Sequence, residues 1–178
     1  NEYLQNSKVT KAGINDLIAK MPATKVGNYA FRNVNGIQFE NHSESWGLST
    51  PSNSNGAVYA DLDLDGDLDL ILNNLNEPAQ IYRNHTSERS DANFLQLKLK
   101  GLEGNSDGIG ARVSVYQNGK INYQEQQVYK GYQGNVSAIL HFGLGKEKVD
   151  SVEVRWKNNK ISRIKNPEVN KLVEISES

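Results

Sequence analysis

The residues best able to do chemistry are five aspartates within nine positions: Asp61, Asp63, Asp65, Asp67 and Asp69, alternating with Leu62, Leu64, Gly66 and Leu68. In an extended strand, neighbouring same-side carboxylates would stand roughly 7 Å apart and repel by roughly 0.6 to 2.4 kcal/mol per pair at an effective dielectric of about 80 to 20. A divalent cation reverses the sign of that term. Glycine at the sixth place, Gly66, permits a sharp turn. A curled loop can then bring alternate side chains and one main-chain carbonyl to a common centre, matching the oxygen-rich shell that Ca2+ takes. The donors expected are Asp61, Asp63, Asp65 and Asp69 by carboxylate and Asp67 by its backbone carbonyl. The loop is not an EF-hand, because its twelfth place is Leu72 where a bidentate Glu is required. An amphipathic strand with an acidic solvent face is the competing reading. Gly66 in mid-strand and unrelieved repulsion both argue against it.

Catalytic constellations are not found. His42, His85 and His141 are far apart in the chain and match no zinc or triad pattern. Acids outside the loop lack the paired placement that glycoside hydrolysis needs, and Ser137 and Ser151 lack a nucleophile-elbow context. There is no cysteine, so thiolate chemistry and disulfides are excluded. The sequence therefore reads as non-enzymatic. Asp107-Gly108-Ile109-Gly110 precedes a strand rather than a helix, which favours a turn over a phosphate cradle and leaves Asp107 as a weak second metal ligand at most. Trp46, Tyr129 and Tyr132 are either core residues or platforms for sugar rings and protein partners, whereas Trp156 shares a face with valines and belongs in a core. A net charge of -1 over 178 residues gives no basic field for nucleic acid. No apolar run is long enough for a membrane span.

The elements that must position the loop are mostly strands. Ile14, Leu17, Ile18 and Met21 recur with helical spacing, with Thr10 as a cap and Pro22 as a stop, so one short amphipathic helix is expected near the N-terminus. From residue 28 onward, short apolar runs alternate with Asn, Gly and Ser clusters, which predicts strands at 29–33, 38–41, 57–60, 68–72 and 80–83. A polar stretch at 84–93 reads as a linker. Beyond it, Leu95, Leu97 and Leu99 alternate with Gln96, Lys98 and Lys100, giving one apolar and one wet face. Similar alternation marks 111–116 and 151–156. Asn118-Gly119 between two such runs is a two-residue hairpin signal, since both turn positions need positive φ.

At these residues the chain resembles two known families. Asn55 to Ala60, the acidic loop, Leu70 to Asn74 and Ile81 to Asn84 resemble the FG-GAP or VCBS repeat, the calcium-binding blade of integrin-like β-propellers. Asn28 to Asn33 with Phe39 to Asn41 look like the tail of a preceding blade. The blocks Asp107 to Val113, Leu140 to Gly145 and Val152 to Trp156 resemble the ASPIC/UnbV domain, named from an acidic secreted cartilage protein. The resemblance implies a mainly β fragment in three parts: 1–27 with the helix, 28–87 as a propeller-type blade with its calcium loop, and 93–177 as a small antiparallel β sandwich or barrel.

It further implies Ca2+ as a structural cofactor and a secreted or cell-surface setting, outer-membrane associated if the source is bacterial. The partners implied are a glycan or extracellular protein and the remaining repeats of a longer parent chain. The function expected is non-catalytic binding and scaffolding; the alternative is an accessory or capping domain of a larger secreted enzyme. A single blade cannot close a propeller, which needs about four to eight. Either further blades lie elsewhere in the parent, or this blade packs on the second domain with the Phe94 to Leu99 strand supplying the missing pairing.

Overall fold

A computed structural model describes residues 11–20 and 24–178. The first element, α1, is a helix at Lys11–Lys20, as the spacing predicts. Ile14 and Leu17 on it are exposed, while Thr10, Met21 and Pro22 lie outside the described residues.

Contacts divide the chain into two compact units. In the first, residues 1–54 with 75–77, β1 (Phe31–Asn33) and β2 (Phe39–Asn41) form an antiparallel hairpin. Its strands are exposed throughout. The buried Ser43 hydroxyl accepts from Ala30 N at 2.8 Å, and Val26 bridges Ser52.

The second unit, residues 55–74 and 78–178, holds the acidic loop and everything that positions it. Here β3 (Ser54–Ala60), β4 (Asp69–Asn74) and β5 (Gln80–Tyr82) form a three-stranded sheet in that order. A one-turn helix, α2 (Thr86–Arg89), lies inside the stretch that the sequence presents as a linker. Next come β6 (Asn93–Lys100), β7 (Arg112–Gln117), β8 (Lys120–Glu125), β9 (Ile139–Gly145), β10 (Ser151–Arg155), β11 (Ile161–Lys165) and β12 (Leu172–Ser176). They form one sheet ordered β11-β10-β7-β8 and another ordered β12-β6-β9.

The alternating leucines and valines point between these two sheets. Leu95, Leu97 and Leu99 from β6, Leu140, Phe142 and Leu144 from β9, Val113 and Val115 from β7, and Val152 and Val154 from β10 merge in one buried cluster with Trp156 and Ile175. The result is a β sandwich. Trp156 is core as expected, its indole N–H donating to Ser162 Oγ at 2.8 Å. Asn118 and Gly119 both take positive φ, 48° and 77°, in the β7–β8 hairpin. Two buried glutamines close the sandwich ends: Gln117 Nε2 donates to Leu144 O, and Gln126 Nε2 donates to Asp107 O and Ala138 O.

Two expectations are corrected. The strand that begins at Phe94 does not pair with the blade: β6 is the centre of its own sheet, antiparallel to β9 and parallel to β12. The sandwich is consequently not purely antiparallel, because β12 returns alongside β6 in the same direction. Among the described residues, no sheet closes into a barrel and the β3–β5 sheet is not repeated into a propeller.

Candidate metal centre

The loop that joins β3 to β4 carries the five aspartates. Its curl uses two left-handed residues, Leu64 at φ 61° and Gly66 at φ 94°. Gly66 is required twice over. A Cβ there would lie 2.1 Å from Phe94 Cε1, so the ring of the first β6 aromatic sits where a side chain would have to go.

The structure brings together Asp61, Asp63 and Asp65, each contributing a carboxylate oxygen to a group within 4.8 Å. Asp61 Oδ2 accepts from Gly66 N at 3.2 Å and from Gln96 Nε2 at 3.2 Å. Asp61 Oδ1 is sealed from water and has no hydrogen-bond partner among the described residues. A buried anionic oxygen without a donor is costly.

Asp65 Oδ1 accepts from Asp67 N at 2.9 Å and its Oδ2 from Ser87 Oγ at 3.1 Å. The Asp67 N–H is the chief cause holding the Asp65 carboxyl below the usual carboxylate range; Ser87 and Arg83 add to it. Arg83 is the local counter-ion, with Nε 2.7 Å from Asp63 Oδ2 and a terminal nitrogen 3.6 Å from Asp65 Oδ2 and 2.8 Å from Glu88 Oε1.

The other two aspartates stand apart from that group. Asp69 is buried and uses both oxygens on backbone donors, Oδ1 on Asn84 N at 2.8 Å and Oδ2 on Leu62 N at 3.1 Å. It staples the two ends of the loop to the segment after β5. The Asp67 carboxylate accepts from Ser87 N at 2.5 Å and is not one of the three grouped carboxylates.

Two sets of neighbours were not legible in the sequence. The 84–90 segment is a strap over the loop rather than a free linker: Asn84 and Ser87 supply three of the bonds above, and Asn84 Nδ2 reaches Leu68 O. The outer face of the β12-β6-β9 sheet also meets the loop. Gln96 and His141 face each other across β6 and β9, and the Phe94 and His141 rings stack with centroids 5.8 Å apart. Burial pushes the His141 imidazole below its usual pKa, against the pull of Asp61 and Asp67. His141 is thus the sheet residue expected, with a second role as the floor of the loop.

The remaining candidates fall elsewhere. Asp107-Gly108 forms the expected turn, with Gly108 at φ 63° packed on Trp156 and Leu99. Asp107 joins no metal-competent cluster among the described residues. Trp46, Tyr129 and Tyr132 are exposed. His42 pairs with Trp46, and His85 with Glu88.

Residues 101–178 match the family model "ASPIC and UnbV", so the sandwich from just after β6 is an ASPIC and UnbV domain. The chain is also 31% identical over 134 residues to cartilage acidic protein 1 of Homo sapiens, covering 72% of this chain and 20% of that protein. It is 30% identical to the Mus musculus protein over the same length. The chain therefore spans about a fifth of these relatives. A stretch covering 72% of 178 residues must include 61–69 wherever it begins, so the aligned stretch spans the acidic loop and at least the first part of residues 101–178.

Proposed function

We propose that this chain is a calcium-stabilised, non-catalytic binding and scaffolding module that works outside the cell. On this reading, Asp61 to Asp69 is the loop of an FG-GAP or VCBS blade set against an ASPIC and UnbV domain. The observation that carries it is the trio Asp61, Asp63 and Asp65, with a buried Asp61 oxygen left without a donor beside the other two carboxylates. The residues fit a hard cation: carboxylates are the ligands Ca2+ prefers, and Gly66 leaves the loop its tight curl. Asp61, Asp63 and Asp65 would hold the ion, with the Asp67 carbonyl completing the set. Asp69, expected from the spacing as a further donor, instead shapes the loop through its two backbone bonds. The ion would supply charge neutralisation and cross-linking of β3 to β4.

The word cartilage in the relatives' name suits an extracellular setting, secreted or surface-bound. Among the described residues, no helix is long and apolar enough to cross a membrane. A glycan or an extracellular protein is the partner class proposed. Because the matched stretch is only 20% of the human relative, service as an accessory domain of a larger enzyme is the second reading; turnover by the full-length parent at a site outside these residues would favour it.

Melting the chain in calcium and in chelator tests the metal. At 10 mM calcium and an extracellular-type Kd of about 0.1 to 1 mM, the ion should add about 1.4 to 2.7 kcal/mol. Asp63→Ala and Asp65→Ala should abolish the difference. Equal melting points in all conditions would defeat the proposal.

A further inference from the structure

We infer that Gln96, which lies on the sandwich and outside the acidic loop, is a positioning residue for the calcium site, so that the sheet is part of the apparatus that loads the loop. This rests on the calcium reading above. The Gln96 amide donates to Asp61 Oδ2 at 3.2 Å, and Gly66 N donates to the same oxygen at 3.2 Å. Two neutral donors on one oxygen fix the carboxylate's torsion without consuming its charge. The other oxygen, Oδ1, is then the one left buried and unpaired, and so the one free to take a cation. Outer partners that orient a metal-binding group are worth about 10- to 100-fold in affinity.

Gln96 is unusually well placed to do this. Its neighbours Leu95 and Leu97 are fully buried on the opposite face, so β6 cannot roll without dismantling the core. The strand is paired on both sides, Gln96 opposite His141 on β9 and Leu172 on β12. Two residues earlier, the Phe94 ring presses on Gly66, fixing the height of the loop above the sheet. The donor that aims Asp61 is therefore mounted on a central strand with a buried inner face, in keeping with the rule that sites held by packed elements are better defined than sites held by loops.

The test uses the full chain and calcium chloride as the probe. Gln96→Met removes the donor at similar volume. Lys98→Met, at the next outward position of β6, is the control. By titration calorimetry, Gln96→Met should bind calcium about 10- to 100-fold more weakly than the unaltered chain, with its melting point in chelator unchanged and with Lys98→Met binding as the unaltered chain does. In the unaltered chain, the Gln96 side-chain amide resonances should shift with the same midpoint as the heat of binding. That second measurement decides the matter if Gln96→Met folds poorly. Calcium binding that is equal in Gln96→Met and the unaltered chain, or Gln96 resonances that stay still through the titration, would overturn the inference and leave the calcium site standing. No binding by the unaltered chain would remove both.

Discussion

The seven-stranded sandwich and the three-stranded β3–β5 sheet share one compact unit, yet they are held together by different physics. The sandwich gathers fourteen buried hydrophobic side chains into one cluster. In the β3–β5 sheet and its loop, Leu72 is the single buried hydrophobic, and the other buried positions are Gly66, Asp69 and Asn74. One region is stabilised by apolar burial, which responds little to ions. The other is held by the donors its carboxylates find and by the ion pairs of Arg83. A small sheet with almost no core can persist when polar bonds and a neighbour's face replace the missing hydrophobic contacts.

The comparison breaks hardest at the sandwich. Leu97→Ala should cost about 2 to 5 kcal/mol by urea unfolding, and by the same amount with calcium or with chelator. Gly66→Ala should cost about 1 to 3 kcal/mol through the Phe94 clash and the positive φ, and it should blunt the response to calcium. A loss of the same size with an intact calcium response would show that the two regions are less distinct than proposed. Chelation should speed hydrogen exchange at β4 amides by the equivalent of about 1.4 to 2.7 kcal/mol while β7 amides stay protected. Uniform loosening of both strands would contradict the division.

The smallest expected effect lies at Glu174 on β12, whose carboxyl is held below its usual value chiefly by a hydrogen bond from Lys100, 2.9 Å away on β6. A depressed carboxylate adds stability above the unfolded value, near 4.5, and that increment is lost as pH falls through the folded value. Glu174→Gln should flatten the stability curve slightly over that interval, and added salt should shrink the difference.

Period-two alternation made β6, β7 and β10 readable, and Asn118-Gly119 marked the hairpin between β7 and β8, because those signals are local. Alternation says which face of a strand is apolar and nothing about its partner. The parallel β12–β6 pair was therefore invisible, as were β11 and β12, whose short runs ISRIK and LVEIS bury few residues. The site divides along the same line. The grouping of Asp61, Asp63 and Asp65 followed from spacing. The placement of Gln96 and His141 against that group did not, since a polar residue on a strand's outer face looks the same in sequence whether it meets water or a neighbouring loop. Asn84 and Ser87 were hidden for a similar reason: a strap and a tether share one composition.

The return of β12 beside β6 has a consequence for the order of events during folding. Phe94 is bonded through its N–H to Asn170, 76 residues later, and the ladder continues from Leu172. Contacts so distant along the chain form slowly, because a long loop must close before they repay the entropy. Until then one flank of β6 exposes unpaired backbone groups. The acidic loop therefore rests on a strand whose other flank is closed only when the last strand has arrived.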